Sequence, residues 1–343
     1  MNIGKLHLTF FNTKHYLQSI FNNVKTDHKT PAQLKLKGQI LALRNVDILS
    51  NLYDIESIRI PDKFPTIANL IEANFPSIGV EVFSDDDDYD YVLGGNITSC
   101  DPFERTSSLH INSNGGTIKN TIAICRVSEQ KDSIRLPLNS VLWHSKEEAD
   151  TILYASLIIY PWGFLNVLQK VLYQELRQTR ISSKALVSKS SIIDGPCVIE
   201  DNVIIDDYCK IVGPSYIGKG SFIGMNSLIR NCEIGEETKV GFSCELARSY
   251  FTGHDKISHQ NVILDSVIGE NVWFGGYTGT TNALPDRKNI KYKVDDVLID
   301  TGTDHFGAVV GNDCAVGASV TILPGTQILP SSIVQAGTTI EKD

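Results

Sequence analysis

The sequence is short of the features that mark several protein classes. None of its seven cysteines falls in a C-x-x-C pair, and the odd total fits neither a disulfide framework nor a zinc site. It has no apolar run of the roughly 20 residues that a membrane span needs. Its most apolar stretch, 152–168, is broken by Pro161 and Gly163 and reads as a buried helix pair. No basic segment followed by an apolar core opens the chain, so a signal peptide is not expected. Positive charge is in deficit: 31 lysines and arginines face 40 aspartates and glutamates, a net −9. Such a chain repels nucleic acid and anionic membrane, and neither is expected as a partner. Free thiols without a pairing pattern fit the reducing cytoplasm.

What is present is a period of six. An aliphatic residue returns every sixth position from Ile181 to Ile229, slips by one to Ile234, and continues through Val240 and Leu246. It resumes at Val262, Ile268 and Phe274, and again from Val310 to Ile340. Small or compact residues follow four positions later, among them Ser191, Cys197, Ser215 and Cys314. A period of six fits neither a helix nor an alternating strand. It predicts an all-β, left-handed parallel β-helix over 181–343, in which each hexad is one short strand and one corner, and three hexads close a triangular coil. The large aliphatic fills the interior and the compact residue fits where the next wall comes close. Cys197, Cys209, Cys244 and Cys314 hold that compact position and read as packing. Glycine directly after the aliphatic, as at Gly218, Gly235 and Gly269, suits a corner without room for a Cβ.

Residues 1–150 lack the period. Strand-like runs at Lys5–Phe11, Gly79–Phe83 and Thr121–Val127, set among polar loops, predict a separate α/β domain. A chain of 343 residues is long enough for two domains. Residues 151–180 read as a helical connector. Pro161 suits a first helical turn, and Leu165, Leu168, Leu172 and Leu176 recur at helical spacing.

The segment "SHQNVILDSVIGENVWFGGYTGTTN", 258–282, interrupts the monotony with His259, Trp273 and Asn282. With "VVGNDCAVGASVTILPGTQI" and the connector "YPWGFLNVLQKVL" it resembles the hexapeptide-repeat acyltransferases. The likeness is to the acetyltransferase half of the bifunctional enzymes that acetylate glucosamine 1-phosphate and couple it to UTP, and to their archaeal-type sugar-phosphate relatives. It covers roughly 160–343. The resemblance implies an acetyl-CoA-dependent N- or O-acetyltransferase working as a homotrimer on a small-molecule acceptor. It makes His259 the catalytic base, puts Asn282 near the acetyl group, and makes Gly276 the residue whose backbone amide assists the acyl carbonyl. Ala318 and Ala336 line the coenzyme groove, and Arg230 and Glu245 face a sugar phosphate. Three sugar-site positions depart from the pattern: Ala247 stands for lysine, Val262 for tyrosine and Trp273 for asparagine. The acyl side is kept while the acceptor side is rebuilt, which predicts a different acceptor, such as an amino sugar, a sugar nucleotide or a similar polar metabolite.

The family's nucleotidyltransferase domain opens with a glycine-rich loop and a basic residue that cradle triphosphate. The only candidate here, Leu93–Asn96, is short and lacks the cation, so residues 1–150 read as divergent from that domain, or a degenerate form of it. The acidic run Asp85–Asp88 reads as a solvated loop, because consecutive carboxylates cannot all face one ion, and no metal site is expected.

An imidazole titrates near neutral pH and suits removal of a proton from an amine or hydroxyl. His254 and His305 are the competing histidines. The break in the period at 283–306 predicts a loop excursion able to reach a neighbouring subunit, and Arg287, Lys288, Lys291 and Lys293 make it basic. Two other readings stay open: a divergent nucleotidyltransferase whose β-helix serves assembly, and a non-catalytic binding protein.

Overall fold

In the β-helix each hexad delivers two to four residues to a strand, and every third hexad lands on the same wall. The computed structural model describes residues 6–11, 33–51, 54–84, 110–113, 121–123, 133–144, 153–294 and 296–342. Three parallel eight-stranded sheets result, here named walls A, B and C in the order the chain meets them, beginning at Arg180–Ile181, Leu186–Val187 and Ile192–Asp194. This is the left-handed hexapeptide β-helix expected from the repeat. Its interior is one column of buried side chains running from Cys197 to Ile328, with Ile199, Ile217, Ile234, Phe251 and Phe274 among the large ones.

The register corrects the sequence reading in one place. Ile229 to Ile234, Leu246 to Phe251 and Ile263 to Ile268 are each five residues apart, all at the corner from wall C to wall A. The period therefore slips three times, and always at the same corner. Ile263, not Val262, points inward, while Val262 lies on the outer face of wall C. Phe251 and Ile257 fill the gap left between Leu246 and Val262. The same shift puts a fifth thiol, Cys232, inside beside the four expected.

The glycines after the aliphatics are required by close approach rather than by unusual dihedrals. A Cβ on Gly235 would lie 2.2 Å from the Thr252 carbonyl oxygen, and one on Gly269 2.7 Å from the Asn312 amide nitrogen. Left-handed φ falls on a later corner residue, as at Asn226 (63°), Gln260 (56°) and Asn271 (58°).

Wall A is covered by its own chain. The helix Pro161–Glu175 buries Trp162, Phe164, Leu165, Leu168 and Leu172, and Phe164 meets Tyr250 edge-on with centroids 4.8 Å apart. Residues 35–38 join the same cover: Tyr250 donates its hydroxyl to the Lys35 carbonyl at 2.7 Å, Glu233 accepts the Lys37 N–H at 2.5 Å, and Lys35 pairs with Glu236. The expected buried helix pair at 152–168 is instead a strand, Leu153–Leu157, followed by the start of this helix. The excursion carries a hairpin, Lys291–Val294 with Val297–Asp300. Its base is anchored by Tyr292 and Phe306, whose rings pack against each other and against Trp162 at 5.6–6.1 Å.

The chain divides into two units, the second comprising, among the described residues, 35–38, 161–294 and 296–342. In the first, a parallel sheet runs in the order Gly79–Phe83, Ile55–Pro61, Leu6–Phe11, Ser133–Pro137, with helices Leu41–Ser50 and Pro65–Asn74. Leu8, Phe10, Val46, Ile58, Ile60 and Ile71 form its core. Buried Asn45 ties the helix to a second sheet by donating to Ser140 O at 2.8 Å and accepting Leu142 N–H at 3.1 Å. That second sheet is mixed, in the order Thr121–Ala123, His110–Ser113, Leu153–Leu157, Ser140–His144. The α/β character matches the expectation. Asp85–Asp88 and Leu93–Asn96 lie outside the described residues.

Candidate active site

From the second coil onward, each corner from wall B to wall C repeats one local pattern. On the histidine's coil it reads Ile257 inward, Ser258, His259 at the edge, Gln260 with left-handed φ, and Asn261 inward. Stacked coils turn this into a column of edge residues: Met225, Phe242, His259, Gly276, Ala318 and Ala336. A backbone ladder holds the column. Gln260 N–H donates to Phe242 O at 2.8 Å, Tyr277 to His259 O at 3.0 Å, Ser319 to Gly276 O at 2.8 Å, and Gly337 to Ala318 O at 2.8 Å. Residues from two separate sequence-predicted sets, catalytic and coenzyme-binding, thus stand along one edge. The N–H groups of Gly276, Ala318 and Ala336 take no part in the ladder.

His259 is exposed on this edge. Its Nδ1 accepts the Phe242 backbone N–H at 3.2 Å, so the neutral ring carries its proton on Nε2. Exposed apolar side chains stand close to it. Phe242 below is 44% exposed and Tyr277 above 68%, while Val262 on wall C and Trp273 on wall B flank the edge at 42% and 45%.

Wall C carries the polar groups. Arg230 pairs with Glu245 across neighbouring strands. Ala247, which pairs in register with Arg230, is buried. Asn282 lies at the opposite end of this wall from His259, on the corner to wall A. There its Nδ2 donates to Asp265 Oδ2 at 2.6 Å, and Arg248 grips the same carboxylate with Nε and Nη2, both at 2.7 Å. Asn231, Arg248 and Asp265 each have left-handed φ there, on successive coils. Sequence reasoning missed Arg248 and Asp265. The signal was the recurrence at 231, 248, 265 and 282, a 17-residue coil created by the five-residue step. Within this chain His259 and Asn282 are therefore separated by the width of wall C, and Trp273 faces out from wall B.

The competing histidines sit elsewhere. His254 is at the corner from wall A to wall B, with Nε2 4.0 Å from both Glu236 and Glu270. His305 pairs through Nδ1 with Asp304 at 2.8 Å in the excursion. Beside His254 the interior holds Asp255, fully buried, its Oδ1 accepting Val272 N–H at 2.8 Å; burial pushes its carboxyl well above the usual range. No helix among the described residues is long and apolar enough to cross a membrane.

Comparison with known proteins fits this architecture. The family described as bacterial transferase hexapeptide (six repeats) matches residues 196–231. The matched residues lie within the hexapeptide β-helix. It is 34% identical over 184 residues to a bifunctional sugar-1-phosphate nucleotidylyltransferase/acetyltransferase of Sulfurisphaera tokodaii, a match covering 53% of this chain and 45% of that one. It is 32% identical over 158 residues to the bifunctional protein GlmU of Methanococcus vannielii, covering 46% of this chain and 38% of that one. The chain thus spans less than half the length of these curated relatives. Among solved structures, LpxA from Acinetobacter baumannii is 13% identical, covers 48% of this chain and 70% of its own, and has a TM-score of 0.30. The β-helix resembles the acetyltransferase half of the bifunctional relatives.

Proposed function

We propose that the β-helix is an acetyl-CoA-dependent N- or O-acetyltransferase for an amino sugar, a sugar nucleotide or a similar small polar metabolite. The observation that supports this most is the single edge shared by an exposed histidine, a glycine corner and two alanines on the coils beyond. Acyl transfer needs a group to take the nucleophile's proton, donors for the developing oxyanion, and a seat for the thioester. His259 is the base. The Gly276 N–H, outside the backbone ladder, is an oxyanion donor. Ala318 and Ala336, whose small side chains leave their backbone amides open, line the path of the pantetheine arm. Coenzyme A supplies the activated acetyl group. Asn282, Arg230, Glu245 and Trp273 belong to the acceptor side, and Asn282 works from the far end of wall C.

The cleft is closed by further copies of the chain, as a cytoplasmic homotrimer. Exposed apolar residues support this reading. Leu186, Ile204, Trp273 and Ile333 lie on wall B, Ile192 and Val262 on wall C, and Tyr208, Met225, Phe242 and Tyr277 along their shared edge. Wall A is already covered by the helix Pro161–Glu175. Packing such an edge against a second copy brings wall C of one protomer, with its Asn282 corner, toward the His259 edge of another.

The test is thiol release from acetyl-CoA in the presence of a panel of amino sugars and nucleotide-linked amino sugars. Turnover with one of them, lost on His259→Ala, supports the reading. Failure of coenzyme A to bind at all would remove it.

A further inference from the structure

The outer face of wall B carries two lysines with no ion-pair partner among the described residues. Lys239 and Lys256 are directly paired in register on adjacent strands, and Trp273 is the next residue in the same column. Val240, Ile257 and Phe274, one residue on in each strand, point into the core, so all three side chains face outward. Both lysines are exposed, and neither makes an ion pair among the described residues. Like charges directly opposite each other across two strands are unfavourable for the fold alone. In a chain of net charge −9, an exposed pair of this kind suits the binding of an anion. The indole beside it is 45% exposed.

The column leads straight to the reacting edge. Lys256 is three residues before His259, and Trp273 three before Gly276. Strands in a sheet are about 4.8 Å apart, so the two ammonium groups and the indole span about 10 Å, the length of a diphosphate joined to a nucleoside. We propose that Lys239, Lys256 and Trp273 form a seat for the nucleoside diphosphate of a nucleotide-linked acceptor, with the base on the indole and the phosphates between the ammonium groups. The proposal rests on the acetyltransferase reading for its acceptor. The donor has its own track: Ala318 and Ala336 lie on coils beyond Gly276, on the other side of His259 from Lys239. Arg230 and Arg248, the nearby cations of wall C, are already committed to Glu245 and Asp265 and are poor candidates for phosphate.

Calorimetric titration of the full chain with UDP, with GDP and with coenzyme A tests this. UDP or GDP is expected to bind protein already saturated with coenzyme A, and more weakly at high salt. Lys239→Ala combined with Lys256→Ala should weaken the nucleotide by at least about tenfold, as expected when charge-assisted phosphate contacts are lost. Coenzyme A affinity should stay within about twofold, since its contacts lie elsewhere. The proposal is overturned if neither nucleotide binds, if coenzyme A displaces them, or if the double variant binds them as tightly as the parent chain. Nucleotide binding lost in the double variant, with no coenzyme A binding in either protein, would keep the seat and discard the acetyltransferase.

Discussion

The Phe242 backbone N–H points at Nδ1 of His259, 3.2 Å away. This contact decides which nitrogen faces solvent with a lone pair. While it lasts, the neutral ring presents Nε2–H, a donor, toward the edge. To accept a proton at Nε2, the ring must leave the Phe242 amide and carry its proton on Nδ1. The hydrogen bond is long and exposed, so breaking it costs at most about 1 kcal/mol, far less than a base contributes. Nitrogen-15 NMR of the free protein at pH above the imidazole transition should show the Nε2–H tautomer. The opposite tautomer would mean the ring is free of Phe242.

His259→Ala should lower kcat by about 10²–10⁴ while leaving coenzyme A affinity nearly unchanged, the pattern of a lost general base. The side chain is exposed and packs into no core, so thermal stability should hardly move. His254→Ala should be mild, because that histidine lies at another corner between Glu236 and Glu270. Steady-state kinetics on both variants decide the matter. An inactive His254 variant beside an active His259 variant would move the base to the corner between walls A and B.

The β-helix was legible because its period is a consequence of coil geometry. Each hexad must return an aliphatic such as Ile205 or Ile223 to a narrow interior. What was not legible was the five-residue step at one corner. It shifts Ile263 into the place expected of Val262 and draws Cys232 inside. The step also hid the Arg248–Asp265–Asn282 cluster, which exists only when coils of 17 residues stack. The hairpin in the excursion escaped for another reason. Tyr292 and Phe306 find their aromatic partner, Trp162, on the distant connector helix, and local pattern carries no trace of such a contact.

A single chain of 37.9 kDa should not be the solution species. Light scattering is expected to give about three times that mass, since the apolar edge from Tyr208 to Tyr277 is too long to stay open to water. Ile204→Asp with Tyr208→Asp, well away from His259 along the edge, should release the monomer. A monomeric parent chain at micromolar concentration would contradict this.

Glucosamine 1-phosphate should be a poor acceptor. Compared with the family pattern, a lysine and a tyrosine are missing at Ala247 and Val262, and each lost polar contact weakens binding by about 1–3 kcal/mol. The methyl of Ala247 is fully buried and offers a ligand no polar contact, and Arg230 is tied to Glu245. Robust acetylation of that sugar phosphate, with KM in the usual micromolar to millimolar range, would refute the rebuilt acceptor side.

Asp255 should make the β-helix less stable as pH rises. Its carboxyl is sealed in the interior, and burial raises its folded pKa well above the ordinary carboxylate value, against the pull of the Val272 and Gly253 N–H groups. For an acid with a raised folded pKa, the folded state holds the proton more tightly than the unfolded chain. Stability is therefore full below the unfolded value, about 3.9, and declines as pH climbs from there toward the folded value. The groups that face it act in the same direction or are too far to help: Glu270 repels the anion, and His254 lies outside the coil. The fold already contains the remedy. Asn261 occupies the same inward position one corner later, its Oδ1 accepting Thr278 N–H at 3.0 Å and its Nδ2 turned to the His259 carbonyl at 3.4 Å. Asp255→Asn should adopt that geometry, keep the Val272 contact and remove the charge. It is expected to raise thermal stability at pH 8 by about 1–3 kcal/mol, the usual scale for relieving an imperfectly satisfied buried polar group, and by much less at pH 4. Melting curves across that range are the measurement. A variant that gains nothing at pH 8, or gains equally at pH 4, would show that the carboxylate is neutralised in the fold by some other route.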